Sequence, residues 1–231
     1  TSPGMAGWFS TWMTAVTKPS EQTYATLAEH PDAASNNRAF TWVFIAGTVA
    51  ALISGVLNAI LTLAGFGTSA GITSYFGGDA SRGIAFTFGV AICSSPIAGA
   101  VGALLFAIFT GIVQWIARLF KGTGSYSQLA YALAAISVPF TLVSSLLSPF
   151  SVIPYVGLCV SGLSLILGLY ALVLEIMAVK GVNKFGWGEA AGSVFLPILL
   201  IICCAVVFGV VMGALGVAVG ETFNEINQNL P

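Results

Sequence analysis

The sequence predicts an all-α fold: a polytopic transmembrane helical bundle of five spans, with the N-terminus cytoplasmic and the C-terminus outside. Three observations predict it. Of 231 residues, 57% are hydrophobic and only 6% are charged, with a mean hydropathy of +0.97. A soluble domain carries about 25% charged residues, so this chain has too little charge to cover a water-facing surface, and its solvent has to be lipid. The apolar residues fall into five runs, each long enough at about 1.5 Å per residue to cross a hydrocarbon core of roughly 30 Å. Finally, an inside N-terminus puts Lys18, Arg38, Arg118, Lys121, Lys180 and Lys184 on inside segments and leaves only Arg82 outside. The positive-inside rule selects that orientation.

Residues 1–39 form an N-terminal cytoplasmic or interfacial amphipathic region. Trp8, Phe9, Trp12, Met13 and Val16 recur at helical spacing, which suits either a helix lying in the membrane interface or one packed on the protein's own inside ends. On the first reading Trp8 and Trp12 are interfacial anchors. Pro19 ends this helix, and Ser20 caps a second with Glu21 in its first turn. No secretory leader is expected before Phe40.

The transmembrane domain covers 40–219. Its first span is 40–64, followed by a Gly/Ser/Thr-rich loop holding Asp79 and Arg82. Residues 84–120 are too long for one straight span, and Ser94-Ser95-Pro96 is expected to divide them into a short dipping or interfacial segment at 84–93 and a second span at 96–119. The third and fourth spans are 127–148 and 155–178. Lys180 to Glu189 is expected to be a polar loop, the fifth span is 192–219, and 220–231 is a short acidic tail with Glu221 and Glu225.

Catalysis needs polar groups converging in a pocket, and the sequence offers few. The single histidine, His30, lies outside the spans. There is no His-Glu-x-x-His and no P-loop, and Lys121-Gly122-Thr123-Gly124 reads as a helix-joining turn. Cys93, Cys159, Cys203 and Cys204 all lie in apolar runs without Cys-x-x-Cys spacing, as small membrane-compatible hydrophobes do. No catalytic residue, metal or cofactor is expected, and the protein is not expected to be an enzyme. Nucleic acid is excluded as a partner because no basic cluster exists to neutralise phosphates.

Glu175 is the one acid inside a span, and an ionisable group at such a position has to be compensated. Arg118, Lys121, Lys180 and Lys184 come to the same face, so a structural ion pair is the leading reading, with Arg118 and Lys180 as candidate partners. Partner binding and ion relay are the others. Asn58 and Gln114 are candidates for interhelical hydrogen bonds. Small residues recur at four-residue spacing in Gly47-Ala51-Gly55, Ser95-Gly99-Ala103 and Ala205-Gly209-Gly213, a pattern that lets membrane helices approach closely.

On this layout the chain resembles the Yip-one domain family, five-span membrane proteins named for interaction with Ypt/Rab GTPases. The resemblance rests on WMTAVTKPSEQTYATLAEHP, with Trp12, Pro19 and Tyr24, on VIPYVG, and on LEIMAVKGVNKFGWGEAAGSVFLP, with Lys180, Val182, Trp187, Ala190 and Pro197. The chain resembles bacterial-type members. The Asp-Leu-Tyr-Gly-Pro type motif that precedes the first span in other members is missing, so the resemblance implies the five-span fold and not Rab binding. It implies a multi-pass protein of the bacterial inner membrane, acting as a non-enzymatic scaffold or interaction module among other membrane proteins. An accessory subunit of a larger respiratory or photosynthetic complex is the alternative, and a small-molecule transporter or channel the third. A transporter is expected to show an internal repeat and paired polar breaks near midmembrane, and the sequence carries no such repeat.

Overall fold

Two short helices cross one end of a bundle of five long ones. The computed structural model describes residues 5–64, 66 and 80–228, and the side chains of 7–64, 66, 85, 86 and 88–213. The helices are α1 (Met5–Thr17), α2 (Glu21–Ala28), α3 (Asn36–Leu63), α4 (Ala80–Leu119), α5 (Tyr126–Leu147), α6 (Val156–Asn183) and α7 (Trp187–Gln228), with 3-10 turns at Pro31–Ala34 and Ser148–Val152. No strand occurs among the described residues. Five helices are long and apolar enough to cross a membrane.

The centre of the bundle is α5, buried without a break from Leu129 to Ile136. Four of those eight residues are alanine, and small side chains let neighbours close in on every face. Its start is fixed by a capping box. The Gln128 amide donates to Ser125 Oγ (3.3 Å), and the Ser125 amide donates to Gln128 Oε1 (2.9 Å). Helices α3 and α4 make the most extensive helix–helix contact of the bundle.

The Ser94-Ser95-Pro96 break does not occur. Helix α4 runs through Pro96 without interruption. Proline has no N–H for the carbonyl four residues back, which here is Ile92. Ser95 Oγ donates to that same carbonyl at 2.9 Å. The backbone acceptor is satisfied in a setting without water, where serine commonly rescues such groups.

The polar loop expected between Lys180 and Glu189 is also shorter than read. Helix α6 continues to Asn183, Lys184 caps it in the left-handed region (φ 56°), and α7 begins at Trp187. The expected tail lies within α7 as far as Gln228. Most of the loop after the first span lies outside the described residues, but Arg82 falls in the first turn of α4.

Candidate functional site

Three arrangements of side chains stand out. The first is the platform at the end of the bundle where α3, α5 and α7 start and α4 and α6 finish. Ser20 Oγ accepts from the Thr23 amide at 3.0 Å to cap α2. Tyr24 on α2 is fully buried and donates to the Ala15 carbonyl at 2.8 Å, tying α2 to α1. Burial pushes the Tyr24 phenol up, as does the nearby Tyr170 phenol, so it stays a neutral donor. Tyr170 in turn donates to the Val16 carbonyl at 2.7 Å.

Helix α2 lies so close to α6 that a Cβ on Gly181 would stand 2.6 Å from the Glu21 carbonyl oxygen. The Glu21 carboxylate pairs with Lys180, whose ammonium also sits 4.7 Å from the centre of the Trp187 ring. Arg38 pairs with Asp32 at 3.2 Å, while His30 stacks on Tyr131 with ring centroids 5.8 Å apart.

Trp8 and Trp12, expected as interfacial anchors, are half-buried and turn toward this platform. Both are packed edge-on to the buried Trp42, at centroid distances of 6.0 and 5.7 Å. Edge-to-face rings gain beyond their buried area, which explains the inward turn. Among the described residues, the large apolar side chains that α1 leaves exposed are Phe9 and Met13. Around the platform Lys18, Arg118, Lys121 and Lys184 are exposed, with no ion pair among the described residues.

The second arrangement is a buried amide clasp below the platform. Gln114 Nε2 donates to the Gly124 carbonyl (2.6 Å) and to Asn183 Oδ1 (3.0 Å), and Asn183 Nδ2 donates to the Val179 carbonyl (3.1 Å). It joins α4, the α4–α5 turn and the end of α6. The interhelical bond expected of Gln114 is therefore present, whereas Asn58 only donates back to Ser54 on its own helix.

The third is a cavity of about 490 Å³ between α3, α5 and α6. Ser137, Thr141, Ser144 and Ser148 line it from α5 and its C-cap, Ser54 from α3, and Glu175 from α6. The α5 residues are spaced 4, 3 and 4 apart and share one helix face. Glu175 has no ion pair among the described residues; Lys180, its expected partner, is drawn away by Glu21 across the bundle end. The hydroxyl row was readable as a periodic polar stripe in an apolar helix, yet composition alone conceals it because serine is common in membrane helices.

The family model of the Yip1 domain matches residues 13–209, from the middle of α1 into α7. The chain belongs to the Yip1 domain family. No curated protein and no solved structure matches it.

In this Yip1 domain the small-residue faces divide into two kinds. A Cβ on Gly47 would lie 3.2 Å from the Gly99 Cα, and one on Gly99 would lie 2.8 Å from the Phe44 carbonyl oxygen. A Cβ on Gly55 would meet the Ala91 Cβ at 2.6 Å. These three glycines hold α3 against α4. Gly209 and Gly213 differ: nothing lies within 4 Å of a Cβ at either, and every residue from Leu199 to Gly213 is exposed. The α7 row packs against no other helix of the described bundle.

Proposed function

We propose that this Yip1-family membrane protein is a non-enzymatic scaffold that binds other membrane proteins through its platform end, which faces the cytoplasm of a bacterial inner membrane. The platform carries the proposal. Two helices are clamped across the bundle end by Tyr24, the Glu21–Lys180 pair and the tryptophan cluster, and four unpaired basic side chains surround them. Such a surface offers a fixed shape and a field that favours acidic partner segments or anionic headgroups. Phe9 and Met13 add an apolar edge at its rim.

The test is gentle solubilisation followed by native mass measurement of the parent and of a Lys18→Glu/Lys121→Glu/Lys184→Glu variant. A defined partner carried by the parent and lost by the charge-reversed protein is the expected result. A parent that is always free of protein partners sinks the reading, and substrate-dependent flux in vesicles replaces it with transport. One observation favours an accessory subunit as the second reading. The stretch of α7 from Leu199 to Gly213 is an exposed apolar helix face with no other helix of the described bundle beside it, a form suited to docking in a larger complex.

A further inference from the structure

We infer that the cavity between α3, α5 and α6 is a binding site for an ammonium group, with the Glu175 carboxylate as its counter-charge and the α5 hydroxyl row as its acceptors. The inference is independent of the scaffold reading.

The hydroxyls are what make the site. Several helical threonines and serines of the protein bond back to the carbonyl four residues earlier, as Thr11, Thr14, Thr41, Thr48 and Ser193 do. Ser137, Thr141, Ser144 and Ser148 make no such bond and have no hydroxyl partner among the described residues, and Ser137 Oγ is fully buried in that condition. A buried unsatisfied hydroxyl costs about 1–3 kcal/mol. Ser137 is such a hydroxyl, and the exposed hydroxyls of Thr141, Ser144 and Ser148 continue its face beside the Glu175 carboxylate as an unfilled set of acceptors.

Charge selects the ligand. Among the described residues no lysine, arginine or histidine lines the cavity, so an anion meets only the Glu175 carboxylate there and is repelled. A divalent cation gathers six or more oxygens, commonly including several carboxylates. Here a single carboxylate accompanies neutral hydroxyls spread over roughly 17 Å of helix at 1.5 Å per residue. An ammonium needs only a few acceptors and one counter-charge, and Phe140 in the cavity wall adds an aromatic ring of the kind that attracts cations. The volume suits a small organic molecule, and the largely apolar walls accept the carbon chain attached to an amine. Two sources carry that chemistry: the headgroup of an aminophospholipid entering from the bilayer, or a free alkylamine.

The experiment uses the full chain in phosphatidylglycerol nanodiscs, which contain no amine, with thermal stability and native mass as readouts. Octylamine is titrated against octanol, and separate discs contain phosphatidylethanolamine. Stabilisation by octylamine but not octanol, weakened by about tenfold or more in Glu175→Gln, is the expected result, with a smaller loss in Thr141→Val. Retained phosphatidylethanolamine displaced by octylamine assigns the lipid source; octylamine binding without lipid retention assigns the free amine. Equal responses to octylamine and octanol overturn the proposal, as does no response of the parent to any amine. So does a Glu175→Gln protein that responds like the parent. If that variant fails to fold, the parent's octylamine-versus-octanol comparison decides alone.

Discussion

Asn183 is the residue on which the platform end of the bundle turns. Its side chain faces Gln114, and its carbonyl accepts from the Thr123 amide at 3.2 Å. Replacing it with leucine leaves the buried Gln114 Nε2 with the Gly124 carbonyl alone and takes the Asn183 donor from Gln114 Oε1. We expect a loss of about 1–3 kcal/mol, read by unfolding in mixed detergent micelles, whereas Asn58→Leu, which breaks only an intrahelical bond, stays near the parent. A variant at position 183 as stable as the parent would show that the clasp is idle. Gln114 was legible in the sequence as a polar group that needs a partner in an apolar helix. Asn183 was not, because the basic residues flanking it imitate a loop. Glu175 was legible as an anomaly, and its expected pairing failed for a reason only the fold supplies: Glu21, remote in sequence, lies across Lys180.

At the scale of elements, composition and hydropathy located every long helix, because lipid demands uninterrupted backbone bonding whatever the detailed sequence. Helix ends and breaks were less legible, since they depend on single hydrogen bonds. Ser95 turns the proline signal at position 96 into a continuous helix. The inward face of α1 was concealed in the same way. Trp8, Phe9, Trp12 and Met13 all read as one apolar stripe, and only the position of Trp42 decides which pair packs inward. Replacing Trp8 and Trp12 with serine should release α1 while leaving the five long helices in place. A nitroxide at position 13 then changes from restricted to mobile; an unchanged spectrum would show that the tryptophans do not hold the helix. The α3–α4 contact depends on its glycines, so Gly99→Leu forces apart backbones that no rotamer change can clear. We expect at least about 1–3 kcal/mol of destabilisation in the same unfolding assay.

For the whole molecule, six of the seven basic residues gather at the platform end, and Arg82 stands at the opposite end of α4. Single cysteines at 121 and 184, in a chain lacking the native four, should therefore resist an impermeant thiol reagent in whole cells, and one at 82 should react. The reverse pattern would invert the proposed orientation. The remaining question at this scale is what covers α7, and Gly209 answers it without disturbing the fold. The helix is held to the bundle by its first part, where Ala190 and Val194 are buried, and among the described residues nothing beyond its own helical turn lies within 4 Å of a Cβ at 209. The isolated protein should thus keep its parental melting temperature. If lipid covers the row, a larger apolar side chain is accommodated by the bilayer, and native assemblies are unchanged as well. If another helix packs on Ala205, Gly209 and Gly213, the leucine holds the backbones apart and forfeits close contacts that supply much of the attraction in a membrane. Under the accessory-subunit reading the expected outcome is therefore an unchanged melting temperature together with loss of the partner from the native mass spectrum. Retention of every partner at full occupancy would leave lipid as the cover and remove the only observation that favours that reading over the platform.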